Sequence, residues 1–233
     1  MDWYDDYLLG TPPFGPPIDG VRREITSLYA AWGATEDLDL IFSAAYVSAT
    51  ADDASGLDSE QDLQDALAYA KWKVLERELG PGQFRLLLSP GIEFPLTDYA
   101  TYEDNALNGL GDQAVVLRAR LIAHYQAGAA FASVETGYDH VTGELDDELP
   151  FHATVGMGLG RGWTLSSFYT KVAGIGDTFV TSPAQTEIDE YQRYGLAAYF
   201  QISDTLGLTA NVRRSDEGRN ESEGLSLGLV FRF

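Results

Sequence analysis

Hydrophobic and polar residues alternate along most of this chain. The last ten residues, GLSLGLVFRF, put Leu225, Leu227, Leu229, Phe231 and Phe233 on one parity, and Gly224, Ser226, Gly228, Val230 and Arg232 on the other. Alternate residues of a strand face opposite sides, so one side of this segment is greasy and the other small and polar. The pattern recurs. DLDLIFSAAYV aligns Leu38, Leu40, Phe42, Ala44 and Tyr46; QFRLLLSPGIEF aligns Phe84, Leu86, Leu88, Pro90, Ile92 and Phe94. AVVLRARLIAHY sets Val115, Leu117, Ala119, Leu121 and Ala123 against Arg118, Arg120 and His124. ELPFHATVGMGLG, YGLAAYFQ and TLGLTANVRR behave alike. Each is about as long as the ~9–11 residues that cross a bilayer as a tilted strand.

One stretch competes for a helix. EQDLQDALAYAKWKVLERELG is rich in helix formers. It still alternates, with Ala66, Ala68, Ala70, Trp72 and Val74 against Asp65, Leu67, Tyr69, Lys71 and Lys73, and it falls where the rhythm of the chain needs a strand. The polar parity decides the architecture. A soluble sandwich carries a Lys- and Glu-rich outer face. Here the polar side is Gly, Ser, Thr and Ala with an occasional Arg or His, as expected of a wall around a narrow polar lumen.

Connections alternate between short (ATED, QAG, GRG, SDT, and the somewhat longer ERELGPGQ) and long (residues 51–61, 97–111, 140–148, 175–187 and 216–222). Short periplasmic turns and long outer loops give this rhythm in an up-and-down barrel. Eleven strands can be counted from Val21 to Phe233, whereas bacterial single-chain barrels have an even number. The missing strand is expected in DWYDDYLLG, about residues 2–10, with Pro12, Pro13, Pro16 and Pro17 in an outer loop; the alternative is an N-terminal plug within residues 1–20. The fold class is therefore all-β: a single-domain, up-and-down, antiparallel transmembrane β-barrel over residues 1–233, of about 12 strands, in a bacterial outer membrane. Outer-membrane lipid is its surroundings.

Composition narrows this further. The net charge of −21 repels nucleic-acid backbones, so no DNA or RNA partner is expected. No cysteine is present, which removes disulfides and thiolate metal sites. No apolar run approaches the ~18 residues of a spanning helix. MDWYDDYLLG lacks the basic start and apolar centre of a signal peptide, so Met1 is expected to be a start residue on a mature chain.

LYAAWGATEDLDLIFSAAYVS, an acidic loop containing glycine, and then DLQDALAYAKWKVL resemble the opening of the outer-membrane barrel family associated with meta-pathway phenol degradation, relatives of the long-chain fatty acid transporter class. GIEFPLTDY stands where that family has an lPTG-like stretch. The terminal Phe231 and Phe233 resemble the C-terminal recognition signal of bacterial outer-membrane barrels. The resemblance spans roughly residues 25–233. Three departures weaken any transfer of substrate: the third segment lacks the family's glycine pair, NGLGDQ comes later, and PLTD replaces PTG. The resemblance implies passage of hydrophobic or aromatic compounds.

Candidate chemistry is that of a pore. On the predicted lumen parity are Arg85, Glu93, Arg118, Arg120, His124, Glu135, His152, Arg193, Arg213 and Arg232. They are read either as internal ion pairs that hold the barrel or as a selectivity filter. Arg118 and Arg120 form the best candidate for an anion-attracting patch. Membrane-girdle aromatics are Trp32, Trp72, Trp163, Tyr194, Phe231 and Phe233. The histidines show no metal spacing, GMGLGRG lacks the lysine and helix of a phosphate loop, and no nucleophile set stands out, so neither enzyme activity nor a cofactor is expected. The acidic outer loops (Asp52, Asp53, Asp58 and Glu60; Glu144, Asp146, Asp147 and Glu148; Asp216, Glu217, Glu221 and Glu223) read as solubility and repulsion, or more sharply as sites for divalent cations. The expected function is passive uptake of small solutes through an outer-membrane channel, aromatic or hydrophobic ones favoured. The alternative is a non-transporting scaffold that binds an envelope protein, its lumen closed by Tyr69, Phe168, Tyr199 and Arg232.

Overall fold

In the computed structural model, residues 2–8, 21–51, 59–99, 113–143, 147–175, 190–217 and 220–231 are described. Among them the chain makes twelve strands: β1 (Asp2–Leu8), β2 (Val21–Gly33), β3 (Leu38–Ala51), β4 (Glu60–Leu79), β5 (Gly82–Pro95), β6 (Val116–Ala127), β7 (Ala130–Val141), β8 (Asp147–Gly160), β9 (Trp163–Ile175), β10 (Glu190–Gln201), β11 (Leu206–Glu217) and β12 (Asn220–Phe231). Each pairs antiparallel with its neighbours in sequence. β1 pairs with both β2 and β12, which closes the ring. Closure leaves no edge, so the wall's backbone groups find partners without a second layer.

The surface is inverted relative to a water-soluble protein. Trp32, Leu28, Leu196 and Leu229 are 67%, 66%, 62% and 62% exposed. Leu40, Phe42, Leu88, Leu117, Leu121, Val155, Met157, Leu165, Val212, Leu225 and Leu227 join them on the outer parity. Soluble monomers rarely expose so continuous an apolar surface to water. A lipid surround explains it.

Turn chemistry explains the tight ends. Gly80 and Gly128 take φ of +58° in two-residue turns, where the first central residue needs a positive φ. ERELGPGQ is therefore no longer than the others: β4 runs to Leu79 and β5 restarts at Gly82. The outer connections are also shorter than the sequence suggests. β7 and β8 reach Val141 and Asp147, and β11 and β12 reach Glu217 and Asn220, so Asp216, Glu221 and Glu223 stand on strands. At these strand ends the apolar alternation stops but backbone pairing continues. The helix-like segment is β4, twenty residues long, with a register shift between Lys73 and Leu75 that ends its simple alternation.

Candidate functional site

Ladder register fixes which side chains share the lumen. On β4 to β7 the inner parity carries Asp65, Tyr69, Lys71, Lys73, Arg85, Glu93, Arg118, Arg120, His124, Glu135 and Asp139. Arg118 lies opposite Asp139, and Arg120 opposite Gly137 and Ser89. The result is a continuous ion ladder. Arg118 pairs with Glu93 and reaches Asp139 at 3.9 Å. Arg120 holds Asp139 through two bonds of 2.5 Å, and its Nε lies 3.5 Å from Glu135. Asp139 is 1% exposed. A carboxylate buried so deeply must be paired, and the bidentate guanidinium fork supplies the match.

Of the two readings given for Arg118 and Arg120, this geometry favours internal ion pairs over an anion-attracting patch. Both guanidiniums are occupied by carboxylates on neighbouring strands, and Asp139 was absent from the sequence-level candidates. It shares parity with Glu135 four residues earlier, so the signal was present in the pattern.

A second cluster sits nearer the short turns. Lys73 bridges Asp37 (2.9 Å) and Glu76 (2.7 Å), Arg85 lies 3.5 Å from Glu76, and Gln83 donates to the Glu76 carboxylate. Across the ring the wall changes character. Arg193 on β10 donates to Ser215 Oγ at 3.3 Å and lies 4.9 Å from the Tyr191 ring centroid. Arg213 on β11 donates to Ser226 Oγ at 3.3 Å. Thr209, Asn211 and Tyr199 share this face.

Aromatic rings line the remainder. His124 stacks on Phe131 at 6.2 Å and His152 on Phe168 at 6.3 Å, measured between centroids. His152 is held between Thr170 (2.7 Å) and Thr154 (2.9 Å), so its ring nitrogens serve neighbouring hydroxyls. Tyr69 and Tyr199 also face inward. Arg232 and Phe233 lie outside the described residues, as do Asp52, Asp53, Asp58, Glu144 and Asp146.

On the outer parity, Trp32 (67% exposed) and Trp72 (53%) flank the β2–β3 turn, and Trp163 packs on Phe200 at 4.6 Å beside the β9 turn. Tyr194 pairs with Tyr169 higher on the wall. Phe231 ends β12 opposite Leu206. Among the described residues no group of His, Asp or Glu is placed to hold a metal ion.

Together these features define a class: a small closed barrel with an apolar exterior and a charged, aromatic-lined interior, the fold of bacterial outer-membrane β-barrels. Solved structures agree at the level of fold. The chain aligns over its full length with the NanC porin (TM-score 0.61, 10% identity, 99% of that chain). It also aligns in full with the translocator domain of the autotransporter NalP from Neisseria meningitidis (0.58, 11%, 86%) and with the KdgM porin solved in complex with disordered oligogalacturonate (0.56, 5%, 99%). No family model and no curated protein matches the sequence.

Proposed function

We propose that this chain is a passive channel of a bacterial outer membrane that admits small solutes, with aromatic ones favoured. The observation that carries the reading is the lumen itself. Its inner parity carries the paired charges, and rings at Tyr69, Phe131, Phe168, Tyr191 and Tyr199 share that parity. Charged groups held in pairs keep their shape without demanding a counter-ion from the solute. Aromatic faces attract planar solutes through stacking and dispersion. The resemblance to the meta-pathway barrels supports the same preference, and the fold shared with two porins supports passage. Transport would need no energy source, only diffusion along the lumen.

The test is solute flux into liposomes that hold the folded barrel, with a small sugar, an aromatic acid and a neutral aromatic compound. Faster flux of the aromatics than of the sugar supports the reading. Equal flux of all three makes it a general pore. Flux no faster than in empty liposomes removes transport, and a scaffold that binds another envelope component takes its place.

A further inference from the structure

Charge is not matched evenly around the ring. On β5 and β6 each inward arginine has a carboxylate beside it: Glu76 for Arg85, Glu93 for Arg118, Asp139 for Arg120. Among the described inner side chains of β9 to β12 there is no carboxylate, and two are arginines, Arg193 and Arg213.

Two adjacent register rows hold them. The outer row crosses β9, β10 and β11 as Thr170, Arg193 and Ser215. The row nearer the short turns runs Phe168, Gly195 and Arg213. A Cβ at Gly195 would come 2.8 Å from Phe168 Cζ, so the Phe168 ring lies across β10 where a side chain would stand. Phe168 and Arg193 are both only partly buried, which leaves some of each to the lumen.

Arg193 is held without being neutralised. Its Nε donates to Ser215 Oγ (3.3 Å), and its guanidinium carbon lies 4.9 Å from the Tyr191 ring centroid. Among the described residues no carboxylate pairs with it. A hydroxyl and a ring fix the orientation of the fork and leave its charge standing. The guanidinium stays protonated at any physiological pH, and its terminal nitrogens keep donors for an incoming anion.

We infer that this face is a binding subsite for a small aromatic monocarboxylate. The ligand's ring rests on Phe168, in the row of Gly195. Its carboxylate meets Arg193 one row outward, and Arg213 adds a second positive charge. The two rows are about 6.7 Å apart along a strand, which suits a carboxylate attached directly to a single ring. The aromatic face selects the ring, and the guanidinium fork selects an acid over an alcohol. The inference rests on the channel reading for how the ligand arrives, and narrows that reading from aromatic solutes to their anions.

The test uses the full chain folded in micelles, each variant first shown folded by heat-modifiable gel mobility. Benzoate, benzyl alcohol and acetate are titrated by calorimetry against protein-containing and protein-free micelles. Wild type is expected to hold benzoate at least tenfold more tightly than either of the others. Arg193→Gln should weaken benzoate about tenfold and leave benzyl alcohol unchanged. Arg193→Lys keeps a cation, so the preference for benzoate over benzyl alcohol persists. Phe168→Leu should weaken benzoate and benzyl alcohol together, by about threefold, and leave acetate unchanged. Unaltered benzoate affinity in folded Arg193→Gln, or acetate bound as tightly as benzoate in wild type, overturns the inference. Benzoate flux into liposomes separates this from failure of the channel reading. Absent flux with Arg193-dependent binding intact removes the channel and keeps the subsite. Flux without Arg193-dependent binding keeps the channel and overturns the subsite.

Discussion

Removal of Arg120 should cost more than removal of either carboxylate it serves. Arg120→Ala leaves Asp139, 1% exposed, with only Arg118 at 3.9 Å, and leaves Glu135 beside it without the shared guanidinium. Two charges with centres ~4 Å apart attract by about 4 kcal/mol at an effective dielectric of ~20. A buried pair broken on one side costs about 3–5 kcal/mol, since the abandoned charge keeps its desolvation penalty. The lower half of that range applies here, because Arg118 stays in reach. Asp139→Ala is milder, about 2 kcal/mol. Arg120 keeps Glu135, and Arg118 keeps Glu93. Arg120→Ala combined with Asp139→Ala should fall well short of the sum of the two single losses, since no buried charge is orphaned at Asp139. The assay is reversible urea unfolding in phospholipid vesicles, followed by fluorescence of the four tryptophans. A larger loss for Asp139→Ala than for Arg120→Ala, or strict additivity in the double variant, would refute the ladder as a coupled unit.

The same unfolding assay checks two further expectations. Leu196→Arg, on the outer face at 62% exposure, should cost about 2–4 kcal/mol in lipid, the penalty of a cation near the bilayer midplane. Gly137→Ala should cost about 1–3 kcal/mol, because its new Cβ would lie 2.0 Å from the Ala119 carbonyl oxygen, whereas Gly174→Ala meets nothing within 4 Å and should be nearly silent. A pH expectation concerns Asp147, at the loop end of β8 beyond the lipid band. The Tyr138 hydroxyl, then the Val141 N–H and His140, hold its carboxyl below the usual carboxylate range. A lowered folded pKa gives a contribution that is complete above the unfolded value of ~3.9 and is lost as pH falls through the folded one. Hydrogen exchange at the Val141 amide, which donates to Asp147 at 3.0 Å, should therefore accelerate only below about pH 4 in wild type, and Asp147→Asn should flatten that dependence.

The wall was readable because a barrel has two faces and a period of two. Leu225, Leu227 and Leu229 could not sit on the lumen side without Gly224, Ser226 and Gly228 turning to lipid, so parity alone assigned them. Strand ends were less legible. Asp216 and Glu221 face each other on β11 and β12 above the membrane, where neither face is apolar and the pattern carries no contrast. The ion ladder was half legible. Parity put Arg118, Arg120 and Glu135 inside, but the pairing of Arg118 opposite Asp139 needs the register of β6 on β7, which no single strand encodes. Tyr99, buried just after β5, gave no signal at all. Its position follows from Thr97 and Gln113 bonds to distant backbone and side chains, which have no periodicity.

The central claim is that one parity of the wall meets lipid and the other meets water. Absence of native cysteine allows a direct measurement: single cysteines at each residue from 224 to 230 on β12, labelled in vesicles with a water-soluble thiol reagent and, separately, with a lipid-dissolved one. The account predicts alternation. Residues 224, 226, 228 and 230 should react from water, and residues 225, 227 and 229 from lipid. Equal labelling of both parities from water, or alternation of the opposite sense, would contradict it.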